Sequence, residues 1–313
     1  MAPSSPALAA VVGPTCSGKT DLSLALARRI PLEILVADSR QVYRGMDIGT
    51  AKPDAVARAT VPHHLLDLVE PGEPFSVAAW AAEARSLAAE VAGRGRLPLL
   101  VGGSGLYLNA VLDGYAFGPA PSPAARAVLR VELEQGGLEP LVERLRSQDP
   151  ATAAAIDVRN PRRVERALER LMAGGGGVAP SRAGQVRMIG LARPTPVLNR
   201  RIDERAAWLF ANGLLEEVRA LLDAGHDPQR APLTGHGYGE AARYLAGEWS
   251  LDEAVAATAR RTRQYAKRQR TWFRRDRRIV WLTAGDGPAD DPLVVAEAAR
   301  LLEELRPRPR TSP

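Results

Sequence analysis

The amino-acid sequence predicts an α/β fold built on a parallel sheet, and three observations support this expectation. Short apolar segments recur along the 313 residues and alternate with stretches of helical periodicity. The first apolar segment runs directly into a glycine-rich loop that opens a helix. Polar residues and glycines follow the second and third segments, at the edge where a parallel sheet binds its ligand.

Five short apolar segments, each bounded by turn or polar residues, are the candidate strands. They comprise residues 8–12, 33–37, 97–101, 186–192 and 278–282. Helical patterns separate them, which is typical of strands that run parallel in one sheet. Parallel strands end at the same edge, so the loop after residue 12, residues 38–41 and residues 102–105 are expected to meet there. Together they outline one site.

The loop after the first segment has the spacing of a phosphate-binding P-loop. Its residues are Gly13, Pro14, Thr15, Cys16, Ser17, Gly18, Lys19 and Thr20. Glycines let backbone N–H groups turn inward, the helix N-terminus favours negative charge, Lys19 supplies a cation, and the Thr20 hydroxyl suits Mg²⁺. The sequence therefore predicts a P-loop NTPase-like core that binds phosphates. It does not decide between ATP, another nucleotide and a diphosphate leaving group.

The stretch between the third and fourth candidate strands contains no convincing strand of its own. Helical patterns cover residues 123–135, 138–148 and 161–172 there, and 198–222 and 251–273 further along. These patterns predict a helical insertion domain over 119–185, which divides the core into 1–118 and 186–306. Four glycines, 174–177, favour a flexible connection at the end of the insertion. The tail, 307–313, is expected to be disordered.

Positive charge is concentrated in one segment, residues 260–278. It holds ten Lys or Arg and one acid, a net charge of +9, whereas the remaining 32 basic and 35 acidic residues sum to −3. A basic segment on a mildly acidic body indicates a polyanionic partner at one place. Tyr265, Trp272 and Phe273 are interleaved with the charges and favour nucleic acid. The alternative is a solvated helix face in an Arg-rich protein.

The composition is ordinary for a soluble globular protein, with 45% hydrophobic and 25% charged residues. The single cysteine, Cys16, excludes an intrachain disulfide and a multi-cysteine zinc site, which fits the cytoplasm. No signal peptide and no apolar run of about 18 residues is present, so we expect no membrane association.

His63 and His64 lack a suitably spaced acidic or cysteine partner and are expected to have structural roles. Nothing demands more than a monomer.

Five ordered motifs carry a resemblance to a known family. They lie at residues 13–20, 38–53, 62–65, 101–107 and 264–272. With these motifs the chain resembles the bacterial tRNA dimethylallyltransferases, the IPP transferase family, over nearly its whole length. The resemblance implies transfer of a dimethylallyl group from dimethylallyl diphosphate to N6 of the adenosine immediately 3′ of the tRNA anticodon. It also implies that the P-loop binds the allylic diphosphate with Mg²⁺ and that the partner is the tRNA anticodon stem-loop.

The resemblance also implies roles for individual residues near the P-loop. The adenine amine is a poor nucleophile, so a carboxylate must accept its proton, and Asp38 matches the family's catalytic aspartate. Alternatively, Asp38 holds the P-loop lysine or a Mg²⁺ water. Ser39, Arg40 and Gln41 resemble the segment that holds the target base.

Three further positions follow from the resemblance. Ser104 stands where the family usually has threonine, so the hydroxyl remains for a hydrogen bond to substrate. Arg205 resembles a family arginine expected at the diphosphate, which suits bidentate recognition by a guanidinium. Arg201 is the alternative for that role, and Arg205 would then be an ordinary surface residue.

Contacts with tRNA are implied at two places. In the insertion, Arg159, Arg163, Arg166 and Arg170 are expected to share one helix face, and the family's corresponding helix grips the anticodon loop. The expected contacts are Arg162, Arg163, Val164, Glu165 and Arg166, with Arg126 as a weaker one, and Gln264, Lys267 and Arg268 in the basic segment. The alternative is an ordinary salt-bridged helix in which Glu165 and Glu169 pair with the arginines.

Three other functions are compatible with the motifs. A P-loop kinase would bind ATP and an acceptor, but it leaves the basic segment unexplained. An adenylate prenyltransferase would need neither that segment nor the Arg-rich insertion. A non-enzymatic RNA-binding NTPase switch would place Asp38 near Mg²⁺. Cys16, where the family usually has alanine, is expected to be a packing residue, and Tyr238 receives no role.

Overall fold

The computed structural model of the protein describes residues 6–115, 117, 122–174 and 184–305. Its sheet has six strands: β1 (Leu8–Val12), β2 (Leu32–Ala37), β3 (His63–His64), β4 (Leu97–Gly102), β5 (Val186–Ala192) and β6 (Ile279–Thr283). Their order is β3-β2-β4-β1-β5-β6, and every neighbouring pair is parallel. The predicted α/β fold is confirmed, as are the five candidate strands to within one residue at each end.

The register of the central strands brings the sequence motifs together. Val12 of β1 lies opposite Gly102 of β4, and Ala37 of β2 lies opposite the same glycine. The P-loop, the segment after Ala37 and the segment after Gly102 therefore leave the sheet side by side. A Cβ on Gly102 would lie 2.0 Å from the Ala37 carbonyl oxygen, so only glycine fits where these two strand ends approach each other.

Nine helices and the sheet form the larger of two compact units, residues 1–114 and 182–313. In its described part these are α1 (Lys19–Ala27), α2 (Ala55–Thr60), α3 (Val77–Gly93), α4 (Gly105–Leu112), α9 (Thr195–Ala211), α10 (Leu214–Asp223), α11 (Tyr238–Leu245), α12 (Leu251–Phe273) and α13 (Pro292–Leu302). The helix α12 begins with a capping box, in which Ser250 and Glu253 satisfy each other's backbone N–H groups. The predicted helical stretch 198–222 is two helices, because Gly213 adopts φ +100° and ends the first.

Two of the apolar clusters in the described part of this unit are large. The first packs α1 and α13 against the sheet through side chains such as Leu22, Leu99 and Leu302, all fully buried. The second joins α9, α10 and α11, with Met46 and Tyr238 at its centre. Burying each such side chain contributes about 1.5–3 kcal/mol relative to exposure. The second cluster lies next to residues 43–48, which places it behind the candidate site.

The smaller unit, residues 115–181, is helical throughout its described part. Its helices are α5 (Pro123–Gly136), α6 (Glu139–Gln148), α7 (Pro150–Ala155) and α8 (Pro161–Met172). They enclose a small core of Leu129, Leu145 and Leu168. The prediction that Arg159 shares a face of the last helix is wrong. Pro161 occupies the first turn, so the helix begins after Arg159, which pairs with Asp157 instead.

Two expectations lie outside the described residues: the flexible connection at residues 175–177 and the tail 307–313. The two-residue strand β3, which pairs with β2 at the edge of the sheet, was not predicted from the sequence. Within the described part of the chain, no helix is both long enough and apolar enough to cross a membrane.

Candidate functional site

The P-loop connects β1 to α1 through a backbone that only a few residue types tolerate. Gly13 has φ +148° and Gly18 has φ +98°, and Cys16 adopts φ +61° despite its side chain. A Cβ on Gly13 would lie 2.7 Å from the Leu191 carbonyl oxygen, and one on Gly18 would lie 2.3 Å from Ala289 Cβ. The Thr15 and Ser17 N–H groups are engaged within the protein, whereas the N–H groups of the first turn of α1 have no helical partner and can face a bound anion.

Lys19 is the first residue of α1, and its amine turns back over the loop. Its Nζ donates a hydrogen bond to the Pro14 carbonyl at 2.8 Å. Burial lowers the Lys19 pKa from 10.5 to about 8, nearby Asp38 partly offsets this, and Arg205 lowers the pKa further. A bound diphosphate would favour the charged amine and raise its pKa again.

Two arginines of α9 line the same cavity as the P-loop. Arg201 donates from Nε to the Cys16 carbonyl at 3.2 Å, so its guanidinium is already engaged by the loop. Arg205, one helical turn later, has no hydrogen bond or ion pair within the described part of the chain, and its charge is felt by both Lys19 and Asp21. Arg205 is the freer of the two cations for a bound phosphate.

Arg193, just after β5, holds the candidate site and was not singled out by the sequence analysis. It is 6% exposed, and its Nε donates to the Ser17 carbonyl at 2.8 Å. Its Nη1 donates to the carbonyls of Gly285 and Gly287 at 3.0 and 2.7 Å. Arg193 therefore ties the P-loop to the segment that follows β6. Its place one residue beyond a strand end was the only available signal.

Gln269 of α12 is a second missed residue, and it supports the P-loop from the other side. Its Oε1 accepts from the Thr15 N–H at 2.8 Å, and its Nε2 donates to the Gly103 carbonyl at 3.0 Å. The side chain is 5% exposed. A Cβ on Gly103 would lie 2.1 Å from the Gln269 amide, so the glycine leaves room for this bridge. Its signal in the sequence was an uncharged amide within a strongly basic helix.

Asp38 leaves the end of β2 and faces the cavity. Its Oδ1 accepts from the Arg40 N–H at 2.8 Å, and within the described part of the chain its Oδ2 accepts no hydrogen bond. Asp38 also contributes to the Lys19 pKa, so the carboxylate and the amine are close neighbours. One oxygen is therefore fixed by the turn and the other remains available as a hydrogen-bond acceptor.

The residues beside Asp38 are held in different ways. Ser39 donates its N–H to Ser104 Oγ at 3.1 Å. The Ser104 side chain is 8% exposed and is not among the residues that line the cavity, so its hydroxyl orients Ser39. Arg40 donates to the His236 carbonyl at 3.4 Å, and burial lowers its pKa. Gln41 donates from Nε2 to the carbonyls of Thr50 and Ala51 at 3.0 and 3.1 Å.

These groups surround one cavity of about 1300 Å³. Its lining includes Lys19, Thr20, Asp38, Gln41, Arg201 and Arg205. The floor is the P-loop and α1, one wall is formed by residues 47–58, and α9 and α12 complete it. A cation-rich end and an acidic group therefore open into the same space.

The helix α12 has one face in the cavity and another in solvent. Thr258, Thr262, Tyr265 and Gln269 line the cavity. Gln264, Lys267 and Arg268 lie on the exposed face. The Tyr265 ring stacks obliquely on His236 with centroids 5.1 Å apart, and the Arg268 guanidinium lies 5.7 Å from the same ring. Burial, together with Arg40 and Arg261, lowers the His236 pKa to about 3, so this imidazole is neutral near pH 7.

Part of the basic segment is paired within the larger unit. Arg261 pairs with Glu240, Arg263 with Asp203, and Arg278 with both Asp113 and Asp276. The remaining basic residues of the segment have no ion pair in the described part of the chain. They are Arg260, Lys267, Arg268, Arg270, Arg274, Arg275 and Arg277. The segment therefore keeps a net positive, exposed surface for an anionic partner.

The smaller unit presents only some of its predicted contacts. Arg162 and Arg163 are exposed, and Glu165 is partly exposed. Arg166 pairs with Glu169 at 2.8 Å, and Arg126 reaches the same carboxylate at 3.3 Å. Val164 is fully buried in the core of the unit, so its side chain packs and does not reach a surface. The salt-bridged alternative therefore applies to Arg166 and Arg126, through Glu169.

The two adjacent histidines have structural partners. His64 Nε2 lies 2.7 Å from Glu33 Oε2, and Arg94 donates to that carboxylate at 2.7 Å. His63 Nδ1 lies 2.8 Å from the Val61 carbonyl. Among the described residues no group of three or more His, Cys, Asp or Glu side chains could hold a metal. Both imidazoles have hydrogen-bond partners within the fold, and Glu33 is an acidic partner of His64 that the sequence spacing did not reveal.

Comparison with known sequences connects this site to one family. A profile of the IPP transferase family matches residues 41–276, and a profile described as isopentenyl transferase matches residues 6–60. A tRNA dimethylallyltransferase of Roseiflexus castenholzii is 46% identical over 303 residues, covering 95% of this chain and 97% of the relative. Another from Anaeromyxobacter dehalogenans is 45% identical over 301 residues, covering 92% and 97%.

Solved structures agree with these sequence matches. A tRNA isopentenylpyrophosphate transferase from Bacillus halodurans superposes with a TM-score of 0.71 at 40% identity, over 95% of this chain and 97% of the other. A eukaryotic dimethylallyltransferase acting on tRNA superposes with a TM-score of 0.77 over 90% of this chain and 75% of the other. Its 24% identity supports a common fold and nothing finer.

Proposed function

The chain belongs to the IPP transferase family, and from that premise we propose that it transfers a dimethylallyl group from dimethylallyl diphosphate to N6 of the adenosine immediately 3′ of a tRNA anticodon. Diphosphate is the leaving group and N6-(dimethylallyl)adenosine the product. One observation carries this proposal: a single cavity joins the P-loop and its cations to Asp38, the acceptor needed for the amine proton. The proposed donor site and the proposed base would therefore lie within reach of one another.

The leaving group determines what the P-loop end must do. As the allylic C–O bond breaks, positive charge develops on the allyl carbon and negative charge on the diphosphate. The N–H groups at the start of α1, together with Lys19 and Arg205, would stabilise that negative charge. Arg201, Arg193 and Gln269 hold the loop itself and would act by keeping its N–H groups in place.

Asp38 is proposed as the general base. Its Oδ1 is fixed by the Arg40 N–H, so its Oδ2 is free to accept a proton from the adenine amine as N6 attacks. Ser39, Arg40 and Gln41 would hold the target adenine, and Ser104 would act through its hydrogen bond to Ser39. In the alternative role Asp38 would only hold Lys19 in position.

Mg²⁺ is the proposed cofactor, and the residues present fit it. The Thr20 hydroxyl lines the cavity at the start of α1, beside the side chain of Asp21. Mg²⁺ takes oxygen ligands and is usually shared between a few protein groups, substrate phosphates and several waters, so the Thr20 hydroxyl would supply one of its ligands. When bound, it would supply further positive charge at the diphosphate.

RNA contacts are proposed separately on each unit. On the larger unit the exposed face of α12, with Gln264, Lys267 and Arg268, would meet phosphates and bases near the target nucleotide. On the smaller unit Arg162 and Arg163 are the exposed cations best placed for phosphates, with Glu165 beside them. Arg166 and Arg126 would have to leave Glu169 to contribute.

Transfer of labelled dimethylallyl from its diphosphate to unmodified tRNA tests the proposal directly. Asp38→Asn keeps the shape and the acceptor oxygen for the Arg40 N–H but removes the base, and we expect a loss of about 10²-fold or more in kcat. The matched control is Glu204→Gln, an exposed acid that also lines the cavity and has no proposed role, and it should keep wild-type activity. If wild type transfers no label to tRNA but hydrolyses ATP, the P-loop binds a nucleotide and the proposal is contradicted.

A further inference from the structure

Tyr238 belongs to a segment, residues 236–240, that none of the roles above explains. Its side chain is fully buried, and its hydroxyl donates to Glu217 Oε1 at 2.6 Å. Burial and the neighbouring Glu217 carboxylate raise the Tyr238 pKa well above its usual range, so the phenol stays protonated and remains a donor. Glu217 lies on α10 and Tyr238 opens α11, so this pair joins two helices behind the cavity.

Both oxygens of the Glu217 carboxylate accept hydrogen bonds from the backbone of residues 47–49. Its Oε2 accepts from the N–H groups of Asp47 and Ile48, both at 2.7 Å, and its Oε1 accepts from Gly49 at 3.0 Å. Three successive N–H groups can converge on one anion only in a narrow range of backbone conformations. Charge-assisted hydrogen bonds of this kind are about twice as strong as neutral ones. Glu217 therefore fixes the conformation of residues 47–49.

Gly49 shows how closely this segment is packed. A Cβ at this position would lie 2.4 Å from the Tyr238 ring, a separation that no side chain tolerates. The Tyr238 ring thus supports the segment from behind while its hydroxyl completes the Glu217 carboxylate. Both residues hold the segment without entering the cavity, because neither belongs to its lining.

The held segment continues directly into the cavity wall. Residues 47–58 line the cavity, and the carbonyls of Thr50 and Ala51 accept both hydrogen bonds from Gln41 Nε2. Gln41 follows Asp38 and Arg40 in the segment that the proposed function assigns to the target base. The orientation of the Gln41 amide is therefore set by a backbone whose own position is set by Glu217.

We propose that Glu217, completed by Tyr238, is a positioning residue for the nucleotide acceptor: it holds residues 47–51 so that Gln41 and the cavity wall receive the target nucleotide. This inference rests on the proposed function. Glu217 makes no contact with the P-loop, which Arg201, Arg193 and Gln269 hold independently. Loss of the Glu217 carboxylate should therefore impair use of tRNA and spare binding of diphosphate.

The test compares Glu217→Gln with Glu216→Gln, which removes the same charge from the neighbouring exposed position of α10. The amide presents an N–H₂ group where a backbone N–H needs an acceptor. We expect kcat/KM for tRNA to fall about 10- to 100-fold in Glu217→Gln, as for other small displacements of a binding group. The Kd of inorganic pyrophosphate should be unchanged, and Glu216→Gln should behave as wild type in both assays.

Tyr238→Phe provides a second variant that keeps the ring against Gly49 and removes only one of the four donors. It should show a smaller loss in the same direction, and hydrogen exchange of the amides of residues 47–49 should accelerate in both variants. The proposal is overturned if Glu217→Gln uses tRNA as well as wild type does, or if its tRNA and pyrophosphate affinities fall together. Absence of transfer by wild type itself would instead refute the proposed function, and the exchange measurement would still test the Glu217 contacts.

Discussion

The charge of Lys19 makes donor binding depend on pH in a way that the structure quantifies. The Lys19 pKa of about 8 means that ~90% of the free protein carries the ammonium at pH 7 and only ~10% at pH 9. If only the charged form binds diphosphate well, the Kd of pyrophosphate should be about tenfold higher at pH 9 than at pH 7. Lys19→Arg, whose guanidinium stays charged throughout this range, is the matched variant.

Isothermal titration calorimetry with pyrophosphate measures this dependence. Pyrophosphate changes its own ionisation over the same range, so the informative quantity is the ratio of the two Kd values in wild type relative to that in Lys19→Arg. Wild type should also take up close to one proton on binding at pH 9. Equal ratios in the two proteins, or no proton uptake by wild type, would refute the argument from Lys19.

The free energy of unfolding of the ligand-free protein should rise with pH, whereas the affinity for pyrophosphate should fall. The Lys19 pKa is lower in the folded protein than its value of 10.5 in the unfolded chain, so between about pH 8 and 10.5 the unfolded chain binds more protons. The free energy of unfolding of wild type, relative to Lys19→Met, should therefore rise with pH across this interval. Denaturant titrations of both proteins at several pH values measure it.

Three further predictions concern the supports of the site. Gln269→Leu leaves the Gly103 carbonyl without its buried partner, so urea unfolding should show a loss of about 1–3 kcal/mol and calorimetry a weaker pyrophosphate affinity. Arg163→Ala should weaken tRNA binding and reduce the slope of log Kd against log salt by about one, measured by filter binding. Burial opposes ionisation of Glu33, but hydrogen bonds from Arg94 and His64 outweigh it and lower the Glu33 pKa. The stability that the Glu33 carboxylate contributes should therefore be lost as the pH falls below about 4.5, which melting curves of wild type and Glu33→Gln would measure.

Each of these predictions has a matched control. Gln264→Leu changes an exposed amide of α12 and should alter neither stability nor pyrophosphate affinity. Arg146→Ala removes an arginine of α6 that is already paired with Glu143, so the salt slope should stay as in wild type. Glu90→Gln removes an exposed acid of α3 and should leave the melting profile in acid unchanged. A control that changes as much as its partner would contradict the corresponding argument.

The strands and the P-loop could be predicted because their signals are local. Apolar runs of five to seven residues between turn residues determine β1, β4 and β5 almost to the residue. The P-loop spacing places glycine at two of the three loop positions with a positive φ, Gly13 and Gly18, and Cys16 adopts the third. The break at Gly213 had a local signal as well, and helical periodicity on both sides concealed it.

The sequence by itself determined the parallel α/β core, the phosphate loop and the concentration of positive charge, since each depends on neighbours within a few residues. Only the tertiary structure decided which side chains hold those parts in place. Gln269 reaches Thr15 across 254 positions, and Glu217 reaches Gly49 across 168. The packing of helices against the sheet edge determines these partners. Residues so far apart in the sequence come within hydrogen-bond distance only when the chain folds, so no local sequence pattern predicts the contact.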